Sequence, residues 1–240
     1  MKNSFMSFFR FLTKNKLYTF VTFTGFSVSL MFVLLLSVYV KVELSTDQFH
    51  EKKNRIYRLY SPPYSGFSAR TGEYVKQKFP EVEAFTRVWT YTGNTIFRDN
   101  QQMRIKYMLA DSSFFTMFSF KLLEGNPTEV FKTKNSAVLS KSLAYKIFGN
   151  ESPQGESFSI NGRTLNITEI IEDMPVNTHF NSCDAIIPFE MLAEFWSNPE
   201  LLTTDSNSSF GLYFLAKEGT ELQWASLQCP SITFNIRKKK

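Results

Sequence analysis

Residues 17 to 40, LYTFVTFTGFSVSLMFVLLLSVYV, contain no charged side chain, and basic residues bracket them, Lys14 and Lys16 before and Lys41 after. A bilayer's hydrocarbon core takes about 20 apolar residues of helix, so this run predicts a transmembrane helix over 17–40. Its hydroxyls (Thr19, Thr22, Thr24, Ser27, Ser29 and Ser37) are tolerable in hydrocarbon because each can bond back to its own helix backbone. Tyr18 and Tyr39 stand near the two ends, where amphipathic rings favour the headgroup layer.

Charge sets the orientation. Residues 1–16 hold Lys2, Arg10, Lys14 and Lys16 and no acid, which keeps that end in the cytoplasm and exports everything after Lys41. A cleaved signal peptide is the competing reading, but the run exceeds the usual h-region of about 7–15 residues and no A-x-A-like site follows it. Before the span, Phe5, Phe8, Phe9 and Leu12 repeat at i, i+3, i+4, i+7, the pattern of an amphipathic helix lying in the cytoplasmic interface. A disordered leader is the alternative. The expected layout is a cytoplasmic leader over 1–16, the span over 17–40, an exported domain over 41–228 and a basic tail over 229–240.

The net charge of +5 and the pI near 9.1 suggest nucleic acid. The excess sits at the two ends, four charges from the leader and four from Arg237, Lys238, Lys239 and Lys240, leaving −3 of the net +5 for residues 17–236. The exported body is mildly acidic, which excludes a nucleic-acid partner. Two cysteines, Cys183 and Cys229, allow one disulfide in an oxidising compartment; sequence alone leaves pairing and two free thiols equally open. Sequons stand at Asn150, Asn166 and Asn207 and matter only in a eukaryotic secretory pathway.

Alternation predicts a strand at Arg55–Ser61, stopped by Pro62-Pro63, and helical spacing predicts a helix over Ala69–Phe79. Val82–Thr92 reads as a strand, and Asn94–Arg98 with Met103–Leu109 as a hairpin about Asp99–Gln102. Asp111 is the expected N-cap of a short helix over Ser112–Phe118, followed by a strand at Phe120–Leu123 and a turn at Gly125-Asn126-Pro127. Further on, Ala137–Leu139 is a strand, Ser140 caps a helix to Phe148, and Gly149 stops it. Phe158–Ile160 and Thr164–Ile171 flank Asn161-Gly162, the strongest short hairpin signal. Asp184–Pro188 is a strand, Phe189–Trp196 a helix, Gly211–Lys217 a strand and Thr220–Leu227 a helix. The class is α+β, in two lobes with a boundary near Asn126–Asn135.

No enzyme chemistry emerges. A P-loop needs glycines framing four residues and then Lys-Ser/Thr; Gly149 to Gly155 has the wrong spacing and continues Glu156-Ser157. His50 and His179 lie far apart with no HExxH or C-x-x-C nearby, which argues against zinc. There is no G-x-S-x-G nucleophile elbow. Glu169, Glu172 and Asp173 are the densest carboxylates, and solvated strand-end charges explain them more simply than general acid/base work. No catalytic, cofactor-binding or metal-ligating residue is expected.

Three stretches together resemble the MacB/FtsX-type ABC transporter permeases, in their Bacteroidetes-like branch. The first is Arg10–Tyr18 (RFLTKNKLY), then Glu43–His50 (ELSTDQFH) and Arg55–Arg58 (RIYR), similar to the family's ELSYDxFH…RIYR. The second runs from Ala137-Val138-Leu139-Ser140 to Phe148-Gly149 and Ser152-Pro153-Gln154-Gly155, similar to VLSExLAxxxFGxxxPIGK. The third is Ile170–Pro175 (IIEDMP) with Asn177–Phe180 (NTHF), similar to GVIEDxPxNSHF.

The resemblance covers about residues 5–225 and implies a MacB-like periplasmic core domain with two lobes, one porter-like and a smaller Sabre-like lobe inserted at about 136–196. It implies that Asp47, Phe49 and His50 are structural, forming the junction between helix and domain. It also implies a separate ATPase partner, a permease dimer, the bacterial inner membrane with the amino terminus cytoplasmic, and a role in export or mechanotransmission. The alternative function is a single-pass sensor whose ectodomain binds a ligand. Family members continue into three further spans, whereas here nothing after Val40 is long and apolar enough to cross. The expectation is therefore a truncated, frame-shifted or engineered chain that lacks the strands closing its porter-like lobe. Phe214, Leu222, Trp224 and Leu227 would then be exposed.

Overall fold

The computed structural model describes residues 6, 10–60, 66–98, 101–123, 126–180, 183–205, 209–220, 222, 227–229 and 232–238. It divides into two compact units, Met1–Thr46 and Asp47–Lys240.

In the first unit, helix α1 spans Lys16–Ser45 and is long and apolar enough to cross a membrane. It outruns the expected 17–40 because Lys41, Glu43 and Leu44 are themselves good helix formers; Thr46, at ψ 126, leaves the helix. Three of the hydroxyls bond back as expected: Thr24 donates to the Phe20 carbonyl at 2.5 Å, Ser29 to Gly25 at 2.9 Å and Ser37 to Val33 at 2.7 Å, whereas Thr19 reaches the Leu12 carbonyl before the helix at 3.0 Å. Of the leader, residues 1–5 and 7–9 lie outside the described residues, while 10–14 are helical up to a break at Asn15.

The second unit is α+β. Its strands are β1 Ile56–Tyr60, β2 Val82–Arg98, β3 Gln101–Ala110, β4 Ser136–Ser140, β5 Ser157–Ile160, β6 Arg163–Ile171, β7 Ala185–Pro188, β8 Gly211–Ala216, β9 Leu227–Cys229 and β10 Ile232–Lys238. Its helices are α2 Thr71–Lys78, α3 Ser113–Met117, α4 Lys141–Phe148 and α5 Met191–Phe195. The sheet order is β3-β7-β4-β6-β5-β2-β8-β1-β10-β9, and β2 also pairs with β3, so β2-β3-β7-β4-β6-β5 close into a ring. The segment 136–196 supplies the four strands that bridge the two outer edges of the β2–β3 hairpin.

Strand β2 serves both parts of the sheet, pairing with β8 through Val82–Val88 and with β3 through Val88–Arg98. It merges two strands expected separately. The register shift between Thr92 and Asn94 explains why, since Gly93 at φ 98 takes a backbone that a side chain would resist. All six ring strands send side chains into one buried cluster, among them Ile96, Leu109, Leu139, Ile160, Ile167 and Ile187. Alternate positions (Met108, Val138, Ile186) face a second cluster rich in phenylalanine, with Phe114, Phe118 and Phe180. A third gathers Leu59, Phe67, Val75 and Phe214 where α2 packs against β1, β8 and the start of β2.

Local signals hold where the chemistry is local. The Asn161-Gly162 turn has φ of 50 and 71, as a type I′ hairpin requires. Ser140 caps α4 by accepting the Leu143 N–H at 3.2 Å, and Gly149 at φ 63 ends it.

Four expectations are corrected. Asp111 does not cap α3; Ser112 holds the cap position without a side-chain bond, and Asp111 turns instead to Arg87. The strand expected at Phe120–Leu123 reduces to one bridge, Leu122 to Ile171, because Phe120 is drawn into the aromatic cluster. Of the helix expected at Thr220–Leu227, residues 221 and 223–226 lie outside the described residues, and Leu227 opens strand β9. The basic tail, expected only as an atypical end, carries β10, which pairs antiparallel with β1 over Tyr57–Tyr60. β8 pairs with the other edge of β1. Phe214 and Leu222, expected to be exposed, are buried at 0% and 8%.

Candidate functional site

The first and third motif stretches, about 130 residues apart in sequence, meet in one buried cluster at the start of the second unit. Asp47 is its centre. Its backbone stands at φ 58, the left-handed region that asparagine and aspartate visit more readily than other side chains, and its N–H donates to the Asn177 carbonyl at 2.9 Å. The carboxylate, 4% exposed, accepts from the Thr178 hydroxyl at 2.7 Å and faces His179 Nδ1 at 3.0 Å. His50 Nε2 lies 3.5 Å from the same carboxylate.

The cluster extends in both directions. His50 Nδ1 accepts the Ser119 N–H at 3.0 Å, and Ser119 Oγ accepts the Glu51 N–H at 2.9 Å. His179 Nε2 meets the Tyr213 hydroxyl of β8 at 2.7 Å, and the Arg58 guanidinium of β1 lies 5.8 Å over the Tyr213 ring. Burial pushes the Tyr213 phenol above its ordinary range, so it remains an O–H group. Phe49, Phe118, Phe120 and Phe180 pack round the two imidazoles, with centroids of 4.0 Å for Phe49–His50 and 3.7 Å for His179–Phe180. Asp47, Phe49 and His50 thus bind the first residues after the membrane-length helix into the fold, Asp47 through Thr178 and His179, His50 through Ser119 and Phe49 against Phe120.

The second and third stretches meet elsewhere. Asp173 accepts the Ser142 N–H at 2.9 Å and the Ser142 hydroxyl at 2.5 Å, so its charge sits at the amino-terminal turn of α4. Beside it opens a cleft of about 680 Å³ lined by Lys141, Tyr145, Asn150 and Pro153 among others. Glu172 pairs with Lys121 at 3.0 Å, whereas Glu169 is buried at 8%, so these acids are not one solvated strand-end group. Cys183 is a free, buried thiol. Among the described residues no group of three or more His, Cys, Asp or Glu could hold a metal ion.

A helix of membrane-crossing length and apolarity thus precedes an α+β domain that starts at Asp47. Residues 19–226 match the MacB-like periplasmic core domain, and the chain belongs to that family, which places it among the ABC transporter permeases. Solved structures share the fold. A domain assigned to a permease protein from Porphyromonas gingivalis aligns with TM-score 0.61 at 23% identity, covering 72% of this chain and 79% of that one. The periplasmic region of MacB from Actinobacillus actinomycetemcomitans aligns with TM-score 0.52 at 14% identity, covering 71% and 78%. The extracellular domain of the noncanonic ABC-type transporter YknZ from Gram-positive bacteria gives TM-score 0.51 at 14% identity, covering 68% and 84%. No curated protein matches the chain.

Proposed function

We propose that this chain is the amino-terminal part of a permease subunit in the bacterial inner membrane, with residues 1–16 cytoplasmic and the second unit periplasmic. A separate cytoplasmic ATPase supplies the work, and the permease, acting as a dimer, turns it into movement of the periplasmic domain for export or mechanotransmission. Its substrates are peptides, lipids or drugs handled at the periplasmic face, and the 136–196 segment is the smaller of two lobes. One observation carries this reading: Asp47, the first residue of the second unit, is fastened by backbone and side chain to the 177–179 segment. The second unit therefore begins on a residue that its own fold holds in place, which supports a domain that moves as one piece.

The test is to purify the intact permease and its genomically adjacent ATPase together in lipid nanodiscs. ATP hydrolysis that rises several-fold with the permease, and falls back when Asp47→Ala is introduced, supports the coupling. An intact permease that neither binds nor stimulates any such ATPase sinks it.

A further inference from the structure

We infer that the Asp47–His179 pair is a proton-holding latch, in which His179 carries a second ring proton at neutral pH and grips Asp47 as an imidazolium. The argument starts from the tautomers. His50 Nδ1 receives the Ser119 N–H at 3.0 Å, so that nitrogen is an acceptor and the ring's one proton is on Nε2, facing Asp47 Oδ1 at 3.5 Å. A further proton on His50 would point at an amide hydrogen. His179 has no such obstacle. Its Nδ1 faces Asp47 Oδ2 at 3.0 Å, and its Nε2 faces the Tyr213 hydroxyl at 2.7 Å. That hydroxyl both donates and accepts. When Nε2 gains a proton, the Tyr213 O–H turns and its oxygen accepts, with no heavy atom moved.

The charges in view decide the proton's place. Asp47 on the entry loop is a buried carboxylate, and burial makes counter-charge valuable to it. His50 on the same loop can donate but not gain a proton without losing Ser119. Tyr213 on β8 stays protonated, and Arg58 on β1 stands beyond the Tyr213 ring. The 118–120 and 180 segments bring phenylalanine rings and the Ser119 amide and hydroxyl. A charge-assisted N–H···O⁻ bond is roughly twice as strong as a neutral one, so the latch is tighter with the proton than without it. The sign follows: the folded state holds this proton more firmly than the unfolded chain, so the extra grip is full in mild acid and is lost as pH rises through the folded titration of His179. This inference stands apart from the transport reading, since it concerns where a proton sits.

The chain has two histidines, which makes the test direct. The full chain, labelled with ¹⁵N-histidine and held in detergent micelles, is titrated by NMR, with His179→Gln assigning the signals. The expected result is one imidazole whose midpoint lies at least about one pH unit above the unstructured value of about 6.5, assigned to His179. A His179 midpoint at or below that value overturns the latch. Because the variant alone could disturb folding, a second readout uses the wild type. Hydrogen exchange at the Asp47 amide, corrected for intrinsic rate, should quicken several-fold above the His179 midpoint, and protection unchanged across that midpoint also overturns it.

Discussion

Asp111 takes both the backbone N–H of Arg87, at 2.7 Å, and its guanidinium, with Nη2 at 2.6 Å and Nε at 3.0 Å from the two carboxylate oxygens. The guanidinium also lies 4.3 Å over the Phe189 ring. One side chain thus ties β2, the exit of β3 and the approach to α5. Both partners are mostly buried, at 12% and 18%, so removing one strands the other. Asp111→Ala should cost about 3 kcal/mol, read as a lower denaturation midpoint of the detergent-solubilised chain. A loss within about 0.5 kcal/mol, the range of an ordinary surface substitution, would refute the assignment.

The φ of 58 at Asp47 separates backbone strain from lost bonds. Asp47→Gly and Asp47→Ala both delete the carboxylate, but only glycine adopts this backbone without penalty. Glycine should be the milder change by about 1 kcal/mol, the reverse of the usual helix and strand order. Equal stabilities in denaturant titrations would show that the entry loop relaxes when its side chain is removed.

Deleting residues 232–238 removes the β10 partner of β1 and leaves the β8 side intact. Amide exchange by mass spectrometry should then quicken over Tyr57–Tyr60 and stay unchanged in β4–β7. Unaltered exchange over 57–60 would mean that β10 adds nothing to the sheet in solution.

Burial pushes the Cys183 thiol up to about 12. The unfolded chain loses that proton from about pH 9, so this group's stabilising contribution is full below pH 9 and declines between about 9 and 12 as the unfolded thiolate forms. At pH 8 the native thiol should resist iodoacetamide and react only after denaturant is added. Rapid alkylation of Cys183 in the native protein would contradict its burial.

What could be read from the sequence was what neighbours in sequence decide. Asn161-Gly162 has to turn because few other pairs tolerate two positive φ values, and Ser140 with Gly149 brackets α4 by bonds that span three or four residues. The uncharged run over 17–40 needs no partner to be legible. Asp111 looked like a cap because caps are local, and it was claimed instead by an arginine one ladder position beyond its register. The tail matched no pattern because its pairing rests on a strand some 180 residues earlier. The junction was half-visible: Asp47-Gln48-Phe49-His50 and Asn177-Thr178-His179-Phe180 stood out as separate stretches, and only the fold shows that one binds the other. Tyr213 carried no local signal at all, being one position in a continuously apolar strand buried on both faces.

The pairing of β1 has a bearing on how this protein is made. Ribosomes deliver the chain from its amino end, and β1, Ile56–Tyr60, is the first strand to emerge. Both of its neighbours, β8 at Gly211–Ala216 and β10 at Ile232–Lys238, are made much later. Until they arrive this short, aromatic strand waits with both edges bare, the condition under which strands find wrong partners. The earliest strand thus depends on partners made much later, and shielding residues 56–60 during that interval would raise the yield of folded protein.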